Sequence, residues 1–300
     1  MKLSYLFNQA VKLGRRYDPR GNRTWRYADT AILFGNPGIE VKKILVGIDI
    51  EIGELLLADR LRQTQGIDLV VAHHPEGRAL ANFYEVMELQ INMLKDMGIK
   101  AAVAQQLVEE RYAQVKRKVL PNNHMRTTDA AKLLNIPLAC LHTPADNHAY
   151  FFINRLLEKK KPRRLQEVIK ILEAVPEYQE ARKNHAGPEI ISGSPHSFVG
   201  KFFVEMTGGT EGSKKAFDKL AKRGIRTLVS MHLSEGHLLK AREAKLNVVI
   251  AGHISSDNLG LNLLLDGIEK QERLEIINCS GFRRFKHNLD GRLHSAKFIR

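Results

Sequence analysis

Two adjacent histidines, His73 and His74, follow the apolar run Asp68-Leu-Val-Val-Ala72 and precede Pro75. Successive side chains on a strand point to opposite faces. Neighbouring imidazoles therefore serve one site only where the strand has ended and the chain is turning. Pro75 favours that, because it biases His74 away from helix. The C-terminal end of a buried strand is also where α/β folds place their ligands. The same logic recurs in Asn247-Val-Val-Ile-Ala-Gly-His253, followed by Ser-Ser-Asp257, and in a short strand at 137–141 that runs into His142-Thr-Pro-Ala-Asp146. Nitrogen and oxygen donors after strands from distant segments mark His73, His74, Asp146, His253 and Asp257 as a candidate metal site. Five ligands exceed what one zinc with an open position takes. They suit two cations, and imidazole with carboxylate fits zinc, iron or manganese better than magnesium or calcium. Such a pair lowers the pKa of a bound water and clamps attacking and leaving oxygens.

The elements that must position these groups follow from periodicity. A helix is expected over 1–16, a strand over 41–50, a helix over 52–65 and a strand over 67–72, which predicts a parallel pair with a right-handed crossover. Helices are expected over 84–97, 105–118 and 128–134, with 99–103 too short to assign. After the strand at 137–141, helical spacing resumes over 149–157. The basic run 158–164, with Pro162, reads as a boundary between an N-terminal lobe (1–157) and a C-terminal lobe (158–300). Helix and loop are expected from there to Pro195. Strands follow over 198–206, 227–231, 247–251 and 273–278, with helices at 214–223, between the middle two, and at 259–268. The fold class is α/β, two-lobed, with mixed or parallel sheets flanked by helices and the metal site between the lobes. The halves share a β-α-β-ligand layout, but no internal repeat is evident.

Gly66-Ile-Asp-Leu-Val-Val-Ala-His-His-Pro75, preceded by Gly47-Ile-Asp49, resembles the N-terminal signature of the NGG-one-interacting-factor-three-like family, also called GTP cyclohydrolase type-two-like. His142-Thr-Pro-Ala-Asp146 matches the family's His-Thr-x-x-Asp, and Gly252-His253 with Asp257 matches its closing Gly-His and acidic residue. Thr207-Gly-Gly-Thr-Glu211 and Ser234-Glu-Gly-His237 sit where the family has a Gly turn and a Glu-containing loop. The resemblance covers about residues 30–285. It implies a two-lobed α/β protein with a dinuclear metal site between the lobes and a ring-shaped homohexamer built from dimers. By it, His73, His74, Asp146, His253 and Asp257 hold two divalent transition-metal ions and His142 lines the site. The family usually has Glu at the last ligand, where this chain has Asp257, and Thr-Asn-Leu-Asp where it has Thr-Pro-Ala-Asp.

Other residues carry two readings each. Glu235 and His237 are candidates for general acid and base or for groups that support the metal ligands from behind, or they belong to a surface loop. Asp49 either orients a ligand histidine or caps a helix. Gly208, Gly209 and Thr210 open a helix and could cradle a phosphate, although the loop lacks the Gly-Lys-Ser/Thr ending of a P-loop; a tight turn is the alternative. Cys140 reads as core, and Trp25 and Tyr27 as packing rather than base stacking. His185, His196, His287 and His294 carry no pattern and read as surface residues.

Of 300 residues, 43% are hydrophobic, which allows a proper core. No apolar run approaches the roughly 20 residues of a membrane helix, and the N-terminus lacks a signal peptide's apolar core. Two cysteines indicate no disulfide framework. A cytoplasmic protein without membrane contact is expected. The net charge of +14 favours an anionic partner. It gathers at 116–118, 159–164 and 283–286 without the interleaved aromatics of an RNA or DNA module. The reading is a dinuclear metal-dependent hydrolase acting through a metal-bridging hydroxide on an anionic, nucleotide-like or phosphate-bearing small molecule. The alternative is a non-catalytic, metal-containing binding or adaptor protein for nucleic acid or a protein partner.

Overall fold

A computed structural model describes residues 1–21 and 26–287; Trp25 and His294 lie outside them. The chain starts with α1 (Leu3–Arg15), β1 (Ala31–Phe34), β2 (Lys43–Gly47), α2 (Ile52–Gln65) and β3 (Leu69–Ala72). An excursion through α3 (Gly77–Ala81), a 3-10 segment (Phe83–Glu88), α4 (Leu89–Asp96), α5 (Ala101–Val119) and α6 (Arg126–Leu133) leads to β4 (Leu138–Cys140) and α7 (Thr143–Lys160). After α8 (Leu165–Glu173) and α9 (Pro176–Lys183) come β5 (Glu189–Ser192), β6 (Lys201–Glu205), α10 (Ala216–Lys222), β7 (Ile225–Ser230), α11 (Glu235–Glu243), β8 (Asn247–Ile250), α12 (His253–Glu269) and β9 (Glu275–Cys279). The expected α/β class with two mixed sheets flanked by helices is what the chain forms.

The first sheet has the order β1-β4-β3-β2-β9 and the second β5-β8-β7-β6. In each, only the edge strand that begins the series, β1 or β5, runs antiparallel to its neighbour. The parallel strands are short apolar runs such as Leu-Val-Val-Ala, buried throughout, as strands covered on both faces must be.

Superposing the two orders pairs β1 with β5, β2 with β6, β3 with β7 and β4 with β8. The details agree. Both antiparallel pairs shift register at matching places, Ile32/Phe34 and Ile190/Ser192. Both edge strands run into Gly-x-Pro, at Gly35-Asn-Pro37 and Gly193-Ser-Pro195. Asn135 and Lys245, just before β4 and β8, share positive φ of 51° and 56°. After those strands come His142-Thr-Pro-Ala-Asp-Asn147 and His253-Ile-Ser-Ser-Asp-Asn258. The chain is thus an internal duplication, contrary to the expectation of no repeat. Its signal was hidden because the strand residues differ in identity while keeping their apolar character.

The helices that carry these two motifs, α7 and α12, lie between the sheets. Ala145, Leu261, Leu264, Leu265 and Ile268 join α1 and the inner face of the first sheet, while Ala149, Ile153, Leu259 and Leu263 join the second sheet. A helix that is apolar all round is one buried on all sides, and α12 is buried almost continuously from Ser255 to Asp266. The helix backbones come close at Gly260, where an added Cβ would stand 2.4 Å from the Ala145 carbonyl oxygen. On the outer faces, α2 and α6 cover the first sheet, and α4, α5, α10 and α11 cover the second.

The halves are interleaved. The 158–300 segment supplies β9, which pairs in parallel with β2 in the first sheet. In return, α4 and α5 from the first half pack against the second sheet. Of the basic clusters, the one at 283–286 lies only partly at the surface, through Arg283 and Lys286. Arg284 and Phe285 are buried, and the Arg284 guanidinium donates to the carboxylates of Asp266 and Glu269. No helix of the described residues is long and apolar enough to cross a membrane.

Candidate metal centre

The C-terminal ends of β3, β4 and β8 converge where the two sheets face each other across α7 and α12. His73 and His74 leave β3, His142 caps the N-terminus of α7, and His253 opens α12. Asp146 lies in the first turn of α7. Asp257, one turn into α12, stays just 1% exposed. Gly252 makes that entry: its φ is 113°, and a Cβ there would meet Ser255 Oγ at 2.5 Å and the Ala186 carbonyl at 2.8 Å.

Three of the imidazoles are held the same way. His73 Nδ1–H donates to the Leu141 carbonyl at 3.2 Å. His74 Nδ1 lies 2.6 Å from Asp49 Oδ1, and His142 Nδ1 lies 2.7 Å from Asp29 Oδ2. Carbonyls and ionised carboxylates only accept, so each ring carries its proton on Nδ1 and turns Nε2 inward when neutral. That is the arrangement of metal-binding histidines. Asp49 is not a helix cap; the capping box of α2 is made by Glu51 and Glu54. Asp29, fully buried, also accepts from Thr143 Oγ1 at 2.6 Å. It was missed in the sequence because it sits in a polar stretch far from His142.

The inward atoms face one another. His73 Nε2 is 3.4 Å from Asp146 Oδ1 and 3.5 Å from Asp257 Oδ1. Asp257 Oδ2 is 3.3 Å from His74 Nε2 and 3.5 Å from His253 Nε2. His142 Nε2 is 3.7 Å from Asp146 Oδ2. Two ligands on one tetrahedral ion, each about 2.0–2.1 Å from it, stand about 3.3–3.5 Å apart. Buried polar atoms normally find partners. Yet His73 Nε2, Asp146 Oδ1 and Asp257 Oδ2 are buried without a hydrogen-bond partner among the described residues. Two groups, His73-His74-Asp257 and His73-His142-Asp146, are each close enough to hold a metal ion, and they share His73.

Charge couples the cluster tightly. Burial disfavours a charged His73, but the Asp257 charge and its contacts with Asp146 and Asp257 outweigh that and raise it to about 10. His74 is raised to about 9, against burial, by Asp257 and Asp49. Burial also opposes the Asp257 charge, and His73, His74 and His253 overcome it, holding the carboxyl well below its ordinary range.

A pocket of about 30 Å³, room for a water or two, opens beside the cluster. Its wall includes His142, Asp146, His253 and Asp257, together with Glu205, Glu211 and His232. The last three were missed. His232 stands two residues past the end of β7 as His74 stands two past the end of β3, so the duplication is the signal that would have found it. Its ring centroid is 4.7 Å from that of His253, and its Nδ1 is 3.6 Å from Glu211 Oε1. Burial would raise Glu211, but His232, His237 and Ser234 together hold it at about 2. Burial pushes the Glu205 carboxyl up to about 7.

Glu235 and His237 do not take the expected places. Glu235 is exposed on the first turn of α11 and is not part of the pocket wall. His237 is buried, but Nε2–H donates to the Gly212 carbonyl at 2.9 Å and Nδ1 faces Ser234 Oγ at 2.7 Å. Both nitrogens are spent holding the loop. The Gly208–Thr210 turn does border the pocket through Gly209 and Thr210. However, the Thr210 N–H donates to the Gly208 carbonyl and the Gly212 N–H to Glu205. Those two donors are therefore not free to bind a phosphate. Cys140 is buried with its thiol against the carbonyls of Asp29 and His73.

No family model and no curated protein matches the chain. Solved structures do. HcgD from Methanocaldococcus jannaschii, in its reduced form, is 17% identical over 93% of this chain and 97% of its own, with a TM-score of 0.56. TTHA1606 from Thermus thermophilus is 15% identical over 93% and 97%, with a TM-score of 0.52. A NIF3 superfamily protein from Sphaerobacter thermophilus is 27% identical over 94% of this chain and 99% of its own, with a TM-score of 0.80. A likeness of that closeness and extent takes in both sheets and the helix pair between them, and it supports a NIF3-like family for the chain.

Proposed function

We propose that the chain is a dinuclear metal-dependent hydrolase acting on a nucleotide-like or phosphate-bearing small molecule. The observation that carries the reading is the trio of orphaned atoms, His73 Nε2, Asp146 Oδ1 and Asp257 Oδ2, ringed by imidazoles already fixed at Nδ1. The donors are nitrogen and oxygen, which suits zinc, iron or manganese. In this reading His73, His74, Asp146, His253 and Asp257 are the ligands, while Asp49 and Asp29 fix the rings of His74 and His142. Asp29, Asp49, Asp146 and Asp257 carry a formal charge of −4 when ionised. With the imidazoles neutral, two divalent ions balance it and one does not. Bound there, two such ions supply Lewis-acid activation of water and stabilisation of developing negative charge.

The chain's own residues do the rest. His232, beside His253 on the pocket wall and backed by Glu211, holds and moves a proton. It takes the role expected of Glu235 and His237. The expected test begins with elemental analysis of protein purified without added metal, next to a His73→Ala, His74→Ala variant. About two transition-metal equivalents per chain, lost in the variant, support the site. Loaded protein is then screened for turnover of nucleotides and phosphoesters, and His232→Gln should lower kcat by about 10²-fold or more with metal content unchanged. If fully loaded protein turns over none of them, the hydrolase reading fails and a metal-containing binding protein replaces it. The ring-shaped hexamer implied by the resemblance belongs to the same proposal. Light scattering should then give the mass of six 34.0-kDa chains, and a monomer mass would reject it.

A further inference from the structure

Glu211 separates the pocket at the metal centre from a second, larger cleft of about 290 Å³. That cleft lies between α5 and the loop before α10, and four cationic side chains line it: Arg111, Lys118, Lys214 and Lys215. Its two carboxylates are already engaged. Glu110 pairs with Lys215 at 2.7 Å. Glu211 accepts from the Ser234 backbone N–H and hydroxyl, and Arg111 donates to its carbonyl at 3.1 Å. Among the described residues, Lys118 and Lys214 enter no ion pair. The cleft therefore carries two positive charges more than its own carboxylates balance. It is concave, and its volume is at the small end for ligand sites. Concave walls of one sign focus the field on an incoming anion.

We propose that this cleft binds the phosphate chain of a small molecule, with Lys118 and Lys214 as its principal contacts. The inference rests on the hydrolase reading and deepens it, since Glu211 forms a wall of both pockets and so sets the cleft next to the metal centre. The binding step stands without turnover and without metal.

The test is calorimetric titration of the full chain, stripped of metal, with inorganic triphosphate at low salt. Wild type and the His73→Ala, His74→Ala variant should bind alike, which excludes capture by the histidine cluster. Lys118→Ala with Lys214→Ala should weaken binding by at least about tenfold, since charge-assisted hydrogen bonds to phosphate are the strong ones. Unchanged circular dichroism and metal uptake would show that the lysine variant is folded. Absence of binding, or equal binding by the lysine variant, overturns the proposal. Lysine-dependent binding of a single-stranded oligonucleotide without binding of triphosphate overturns the small-molecule assignment. Turnover plays no part in these outcomes, so failure of the hydrolase reading remains a separate result.

Discussion

Asp257→Asn will leave the fold intact and empty the metal centre. The side chain keeps its shape, but a carboxylate that faces His73, His74 and His253 at 3.3–3.5 Å becomes a neutral amide. The amide sets a donor against atoms that should share a cation. Changing groups that merely orient metal ligands costs 10–100-fold in affinity, so losing a charged ligand common to several imidazoles should cost at least about 100-fold. Elemental analysis per chain and chelator competition check it. Asp257→Glu is the companion variant, because the family usually has Glu there, and it should retain metal. Full metal content in Asp257→Asn would mean that the ions, if bound, are bound elsewhere.

Metal affinity will climb steeply with pH. In the metal-free cluster His73 and His74 hold protons up to about pH 10 and 9, whereas ligation needs both rings neutral. Below pH 9 each ion pair of the empty site must give up its proton, so close to two protons should be released on loading at pH 7. Titration in buffers of different ionisation enthalpy counts them, and zero release would mean that these rings are neutral in the empty site or do not bind the metal. The same shifts set the stability of the metal-free protein. Raised folded-state pKa values mean a contribution complete below the ordinary 6.5, eroded as pH rises and gone above about 10. Asp257 is depressed, so its contribution disappears only in acid. Thermal melts of stripped protein should therefore fall in Tm from pH 7 to 10, and loaded protein should show a smaller fall.

The ligand-bearing strands were legible because each is an apolar run that stops at a polar residue, as at Ala72-His73 and Ile250-Ala-Gly-His253. Edge strands β1 and β5 were not. They are four residues long and half-buried, and they end in Gly-x-Pro, so they lack both length and alternation. α7 begins at Thr143, not near 149, and α12 at His253, not 259. Their first turns carry His, Asp and Ser for the site, and those residues break the apolar spacing that reveals a helix. Glu235 and His237 lie away from the pocket at the histidine cluster for a related reason. Nearness to a strand end in sequence does not say which side chain turns toward the centre, and after β7 that residue is His232.

The place of β9 has a consequence for synthesis on the ribosome. β2 is an inner strand of the first sheet only because residues 275–279 lie beside it in parallel. Until β9 emerges, everything between Gly47 and Glu275 is made while Ile44, Leu45 and Val46 lie along an open edge. An unpaired apolar edge is a template for pairing with another chain. The duplication that built the site from two similar halves thus leaves the first half waiting on a strand of the second, and the nascent protein carries an aggregation hazard until β9 closes that edge.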